Sequence, residues 1–410
     1  MKTRITAGII PLLDSAILVT AKEKGFAADE GIDLNLVRET SWANIRDRMA
    51  VGHFEIAHML APMPIASNLG ITPLELQIIA PFALGLGGNA VTVSNSLWQA
   101  MSETGLERGL DPVAAGTALR KIISDRLALR QNRLVFAVVH PHSGHNLELR
   151  YWLAACGIDP DKDIDIIIIP PTLMADALST GRIDGYCVGE PWNSVAVSNG
   201  VGDIVTTKAS IWRSSPEKVL GVRADWAADH PEVLTKLIRA LHAAAQWCAD
   251  KENLEELASV LAEQSYLDLS PDIMMRALGG RLSIGGGISI EIEDFFVPFA
   301  RAATFPWQSH ALWFYSQMVR WGQVEHSETN IEIARNAYRP DLYRNALMSI
   351  GAAIPGANSK VEGALPRENP VGVSAGRLTL GPDGFFDGEI FDPDRINEYI
   401  ALQQNSPKTR

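Results

Sequence analysis

The residues best suited to chemistry lie in one stretch, Arg133-Leu-Val-Phe-Ala-Val-Val-His-Pro-His-Ser-Gly-His-Asn-Leu-Glu-Leu-Arg-Tyr-Trp152. His140, His142 and His145 follow an H-x-H-x-x-H spacing that invites a metal, because closely spaced imidazoles are common ligands. Pro141 and a change from strand to helix would splay the three rings, so no metal is expected. A second chemistry is anion binding. Residues 134–139 form an apolar run of strand length, and from Asn146 onward Leu147, Leu149, Tyr151, Trp152 and Leu153 fit a buried helix stopped at Gly157. Ser143, Gly144 and His145 then lie where free backbone N–H groups and the positive end of the helix dipole meet, which suits a small anion. The same residues also read as a plain, well-capped helix end. Gly189-Glu-Pro-Trp-Asn193 places a carboxylate, an indole and an amide at the C-terminal end of a strand, where α/β sheets hold ligands, and equally fits a Pro-started helix with an acidic first turn. The signatures G-x-S-x-G, H-E-x-x-H and C-x-x-C are absent, and Gly285-Gly-Gly287 lacks the Lys-Ser/Thr of a phosphate-binding loop.

The elements that must position these residues alternate. Strand 3–9, helix 15–24, strand 33–37, helix 42–51, strand 54–59 and a short helix between Pro62 and Gly70 lead through 74–80 and 90–94 to a second run. That run holds helix 112–125, strand 134–139, helix 146–155, strand 165–169, helix 172–179 and strand 184–188. Such alternation predicts parallel sheets covered by helices, in two α/β units. From Ala224 the chain turns helical, with helices 231–250 and 270–278, the latter with Ser270 as N-cap and Pro271 behind it. Residues 279–287 read as a loop and 305–321 as an aromatic-rich, buried helix. The tail from Pro355 is rich in Gly, Pro and Asn until Asp392 or Asp394 starts a last short helix.

At 410 residues the chain is too long for one ordinary core, so two lobes are expected. Its formal charge of -12 opposes direct binding to nucleic acid or an anionic membrane, and an anion would need a local positive site. No run approaches the roughly 18 apolar residues of a membrane span, and no secretory signal precedes the first strand. Cys156, Cys187 and Cys248 are odd in number and far apart, and read as buried thiols of a reducing compartment.

Five motifs occur in order over roughly residues 3 to 350: Thr40-Ser-Trp-Ala-Asn-Ile-Arg-Asp47, His58-Met-Leu-Ala-Pro-Met-Pro64, His145-Asn-Leu-Glu-Leu-Arg-Tyr-Trp-Leu-Ala-Ala155, Cys187-Val-Gly-Glu-Pro-Trp-Asn193 and Pro216-Glu-Lys-Val-Leu-Gly221. Together they resemble the nitrate- and bicarbonate-binding proteins of ABC importers. The resemblance implies a periplasmic-binding-protein type II clamp, two α/β lobes joined by two crossovers and closing on a small anion. It divides the chain into 1–91 and 216–350 for the first lobe, 92–215 for the second, and 351–410 for a tail. Because the sequence starts at its first strand, it looks most like the cytoplasmic, NasS-type nitrate and nitrite sensors, which pair with an ANTAR-type RNA-binding antiterminator. An importer's binding component is the alternative. A pyrimidine-precursor synthase of the same fold is disfavoured because the three cysteines form no cluster.

Carried over residue by residue, the resemblance puts the ligand against Trp42, Gly144, His145 and Lys218, with Asn89 where the family has a glutamine. No cofactor is implied. Nitrate is planar, singly charged and accepts only, so an indole, an amide, an imidazole, a backbone N–H and an ammonium suit it. Bicarbonate also donates and would want an acceptor or a metal beside it. The expected function is therefore nitrate or nitrite binding by a non-enzyme.

Overall fold

The computed structural model describes residues 2–405; Met1 and residues 406–410, at the two ends of the lobe and tail ranges above, lie outside it. Two five-stranded sheets form the framework. The first runs in the order Ile32–Arg38, Thr3–Ile9, Ile56–Leu60, Lys218–Arg223, Ile78–Ile79, and the second Gly202–Thr207, Asn89–Ser94, Gly185–Gly189, Leu134–Val138, Ile164–Ile168. The alternation read from the sequence yields the parallel pairs, Thr3 with Ile32 and Leu134 with Ile164. Neither sheet is wholly parallel, however. Lys218–Arg223 is antiparallel to Ile56–Leu60, and Asn89–Ser94 is antiparallel to Gly185–Gly189. Both exceptions have one cause: each strand enters its sheet from the opposite lobe, so it runs against strands fed by their own helices.

The chain crosses between Ile79 and Asn89 and returns between Thr207 and Lys218, so residues 89–91 already run in the second sheet. The two crossing segments lie side by side, with Leu84 N–H donating to Lys218 O at 2.9 Å and Gly87 N–H to Ser215 O at 3.0 Å. Paired backbone of this kind forms the crossover between the sheets, a type of segment in which hinge motion is found, although buried side chains of the two lobes share one cluster, Trp42 and Met59 with Phe136 and Trp152.

The C-terminal helices join the lobes again. Pro231–Ala249 packs on Ala16–Glu23 of the first lobe, whereas Gln308–Arg320 packs on Gly144–Ala155 of the second and on Glu328–Ala337, which in turn meets Met63–Asn68 of the first. The aromatic helix is core, as expected: Leu312, Trp313, Phe314 and Tyr315 are fully buried. The tail is a strap. Phe385 stacks on Trp212 at a centroid distance of 4.6 Å, Phe386 N–H donates to Ile211 O, and Tyr151 Oη donates to Asp387 at 2.8 Å. Asp392 caps its last turn, accepting from Asp394 N–H, and Ile396–Asn405 follows.

One expectation is corrected. Residues 279–287 are not a loop throughout, because Arg281–Gly285 and Ile288–Glu291 pair as a hairpin. Gly285, Gly286 and Gly287 all take positive φ, which is what a tight hairpin turn needs, and glycine composition alone hid the strands on either side. Cys156, Cys187 and Cys248 are free thiols, pushed up in pKa by burial and so poor nucleophiles. Among the described residues no helix is long and apolar enough to cross a membrane.

Candidate functional site

Two serine-capped helices, one from each lobe, carry the candidate residues. Ser41 accepts from Asn44 N–H and starts Trp42–Ala50, with Trp42 at its first position. Ser143 accepts from Asn146 N–H at 3.0 Å and donates to His140 O at 2.7 Å, which starts the second helix at Gly144 instead of at Asn146. A serine cap of this type contributes about 1 kcal/mol. Its consequence for the site is that Gly144 and His145 occupy the first helical positions. Their N–H groups precede the first intrahelical bond, from Leu147 N–H to Ser143 O.

Asn89 and Lys218 are the first residues of the strands that follow the two crossovers, so the hinge delivers both. Trp42, Asn89, Gly144, His145 and Lys218 are all buried at one centre. Lys218 Nζ lies 5.4 Å from the centroid of the Trp42 ring, and His145 Nδ1 lies 3.3 Å from Glu217 Oε1, the oxygen that Lys218 also contacts. Gly144 backs this group so closely that a Cβ there would stand 2.6 Å from Glu217 Oε2. Asn89 pairs with Gly189, whose missing Cβ would fall 3.1 Å from Asn89 Oδ1 and 3.7 Å from Asp14 Oδ2.

Between these residues lies a charged network that sequence reasoning missed. Lys218 Nζ donates to Asp14 Oδ2 at 2.8 Å and to Glu217 Oε1 at 2.7 Å. Lys208 donates to Pro216 O at 2.6 Å and to the other Glu217 oxygen, and stands 2.9 Å from Glu148 Oε1. His58 accepts from Ile10 N–H through Nδ1, which leaves its proton on Nε2, 2.9 Å from Asp14 Oδ1. Lone charges inside apolar runs, such as Asp14 within Ile-Ile-Pro-Leu-Leu-Asp-Ser-Ala-Ile-Leu-Val, were the available signal.

The network leaves specific groups unused. Trp42 Nε1, both amide atoms of Asn89 and His145 Nε2 are buried with no hydrogen-bond partner among the described residues. An ammonium carries three donors, and Lys218 spends two of them. Buried polar groups are nearly always paired, so the unused Trp42 Nε1 and Asn89 Nδ2, with the third Lys218 proton, mark a place for an acceptor.

Burial sets the protonation states. It drives the His145 imidazole down to about 3, aided by Lys218 and Lys208 against Glu217, and it depresses His58 despite Asp14. It lifts the Glu148 carboxyl to about 8 against the pull of Lys208. For Asp14 burial acts upward too, but Lys218 and His58 outweigh it and hold the group at about 2; Glu217 is likewise held low by His145, Lys208 and Lys218. His140, His142, His242 and His310 are also depressed by burial. A histidine with a depressed folded pKa contributes stability that is fully present above about 6.5 and is lost as pH falls towards the folded value. Six histidines act in this direction, whereas Glu148 and Glu190, the latter raised to about 7 by burial, act in the opposite one. Thermal denaturation should therefore show a falling melting temperature from pH 7 to pH 5. A flat or rising profile would contradict these burial-driven shifts.

The other sequence candidates are structural. His140 Nδ1 accepts from His142 N–H, and His142 Nδ1 pairs with Gln323, which pins the loop to the C-terminal helices; neither ring joins His145. Among the described residues no group of three or more His, Cys, Asp or Glu is arranged to hold a metal. In the Gly-Glu-Pro-Trp-Asn turn, Glu190 accepts from Ser194 N–H, Asn193 donates to Val188 O, and Trp192 Nε1 reaches across to Pro11 O at 2.9 Å. With Leu13 N–H donating to Glu190 O at 2.8 Å, this turn latches the second lobe to the first.

Residues 1–262 match the model of the NMT1-like family. The chain is 35% identical over 407 residues to the nitrate/nitrite binding protein NrtA of Synechococcus elongatus, covering 97% of this chain and 85% of that one. It is 36% identical over 404 residues to the bicarbonate transport ATP-binding protein CmpC of a Synechocystis strain, of whose length it spans 55%. Among solved structures, the periplasmic nitrate-binding protein NrtA from Synechocystis PCC 6803 superposes with a TM-score of 0.85 at 28% identity, over 98% of both chains. With the two-lobed fold and the five ordered motifs, these likenesses place the chain in the NMT1-like family, among the nitrate- and bicarbonate-binding proteins of the periplasmic-binding-protein fold.

Proposed function

We propose that this chain is a clamp for nitrate or nitrite, held between Trp42, Asn89, the start of the Gly144–Ala155 helix, His145 and Lys218. The observation that carries the reading is the set of buried, unused donors there, the Trp42 indole, the Asn89 Nδ2 amide and the third Lys218 proton, beside the first backbone N–H groups of the Gly144–Ala155 helix. An acceptor-only anion uses these donors; the hydroxyl of bicarbonate also needs an acceptor, and with the Asp14 and Glu217 carboxylates paired to lysines it would depend on Asn89 Oδ1. The function is binding and not catalysis. Calorimetry with nitrate, nitrite and bicarbonate tests it: nitrate or nitrite should bind more tightly than bicarbonate, and binding of bicarbonate alone would overturn the assignment. Trp42→Phe keeps the ring and removes the indole N–H, so nitrate affinity should fall by roughly ten- to a hundredfold, the effect of a lost hydrogen bond to a charged group. Unchanged affinity would reduce Trp42 to a wall.

The output proposed is that of a cytoplasmic sensor: free of ligand, the chain holds an ANTAR-type RNA-binding antiterminator, and nitrate releases it. Support comes from the resemblance of the five motifs and from the supply of ligand residues by both lobes, Trp42 and Lys218 from the first and Asn89, Gly144 and His145 from the second. Nitrate must then favour a closed form that fits the partner poorly, and the partner must weaken nitrate binding by the same factor. Driving the complex from mostly bound to mostly free takes up to about 5.5 kcal/mol of differential affinity, so a partial shift aided by dilution is expected. Gel filtration of the mixed proteins, with and without nitrate, decides it. An unchanged complex at saturating nitrate eliminates release, and no complex in either condition favours the importer component.

A further inference from the structure

A cavity of about 530 Å³ lies away from the anion site, between the C-terminal ends of the helices Gly144–Ala155 and Gln308–Arg320 and the tail. That volume is in the range of small-molecule pockets. Two charged side chains in its lining make no side-chain hydrogen bond or ion pair among the described residues. Arg320 has no hydrogen-bond or ion-pair partner among the described residues; its guanidinium lies 4.8 Å from the Trp321 ring and 5.8 Å from the Tyr151 ring. Glu389 sits at the exposed rim, and its carboxylate likewise has no partner, although its backbone N–H donates to Asp387.

The neighbouring charges are taken. Asp387 accepts from Tyr151 Oη, Asp161 is paired with Arg150, and Asp159 with Lys162. Ile158, Val319 and Trp321, whose Nε1 is buried and unpartnered, form an apolar part of the wall, and Gln403 and Gln404 add amides to it. A guanidinium close to two aromatic rings and making no hydrogen bond or ion pair among the described residues keeps its fork of donors for a planar carboxylate, which it can take bidentately. Burial lowers the Arg320 pKa and outweighs the pull of Asp387 and Glu389, which attract the guanidinium without forming an ion pair with it. Several carboxylates ring the mouth, which disfavours a ligand carrying only negative charge and favours one that also carries an ammonium.

We propose that this cavity is a second ligand site, for an α-amino acid whose carboxylate pairs with Arg320, whose ammonium faces Glu389, and whose side chain lies against Trp321, Ile158 and Val319. The site joins the second lobe to the tail strap, and the strap also packs on the crossover through Phe385 and Trp212. Amino-acid binding would thus stiffen the contact between lobe and strap.

The test is calorimetry of the full chain with each of the twenty common amino acids, with nitrate titrated in parallel. At least one amino acid should bind. Arg320→Met, which keeps an apolar stem in the wall, should weaken it by roughly ten- to a hundredfold, and Glu389→Gln by up to about fivefold, as for an ion pair at the surface. The same acid without its amino group should bind severalfold more weakly than the amino acid. Nitrate affinity should be unchanged in both variants. No binding by any amino acid overturns the proposal, as does binding that survives Arg320→Met. A desamino acid that binds as well as its parent overturns the assignment of Glu389 and of the zwitterion.

Discussion

Lys218→Ala should abolish nitrate binding, by more than about a hundredfold, and lower folding stability by about 3–5 kcal/mol, the cost of breaking a buried ion pair from one side. Lys218 is fully buried and makes the only direct ammonium contact to Asp14 among the described residues, while sharing Glu217 with Lys208. Its loss leaves Asp14 as a buried carboxylate with only neutral His58 beside it. The two losses are separable. Adding Asp14→Asn to Lys218→Ala removes the stranded charge, so chemical denaturation should show most of the stability recovered, while calorimetry should still show no nitrate binding. A double variant that binds nitrate normally would remove Lys218 from the ligand's surroundings. A single variant as stable as the wild type would show that water reaches Asp14.

Glu217→Gln should move stability and affinity in opposite directions. Glu217 is the hub of the network, facing Lys208, Lys218 and His145 at once. The glutamine can accept from one lysine but carries no charge, so stability of the ligand-free protein should fall by about 3 kcal/mol. Nitrate, however, no longer approaches a buried carboxylate. Two unit charges 4 Å apart interact by about 4 kcal/mol at an effective dielectric constant of 20, and even a fraction of that repulsion, relieved, raises affinity tenfold. The variant should therefore melt lower than wild type without nitrate and gain more from it, because the stabilisation by a ligand follows the logarithm of its concentration over Kd. If nitrate binds the variant more weakly, Glu217 serves to aim Lys218, and repulsion is not the dominant effect.

Much of the fold was legible because it is local. Alternating apolar runs marked most strands and helices of both lobes, Ser270 capped its helix as expected, and Asp392 opened the last turn, whereas strands Gly202–Thr207 and Lys218–Arg223 were not read. Where the local rule was too coarse, it failed in understandable ways. Glycine content concealed the hairpin at 281–291, and alternation suggested parallel sheets although each crossover strand arrives from the far lobe. The Gly-Glu-Pro-Trp-Asn turn lies at the C-terminal end of a strand as expected of ligand sites, yet its polar groups are spent latching the lobes.

The sequence by itself determined most of the elements, the Ser270 cap and, through five ordered motifs, which kind of clamp they build. Tertiary structure alone decided the electrostatics of its centre. Asp14 and Lys218 are 204 positions apart and meet at 2.8 Å, and no periodicity or spacing encodes such a pair. The reason is physical: local conformation is set by neighbours along the chain, whereas the state of a buried charge is set by whatever closure brings within a few ångströms, in a medium too poor in water to screen it.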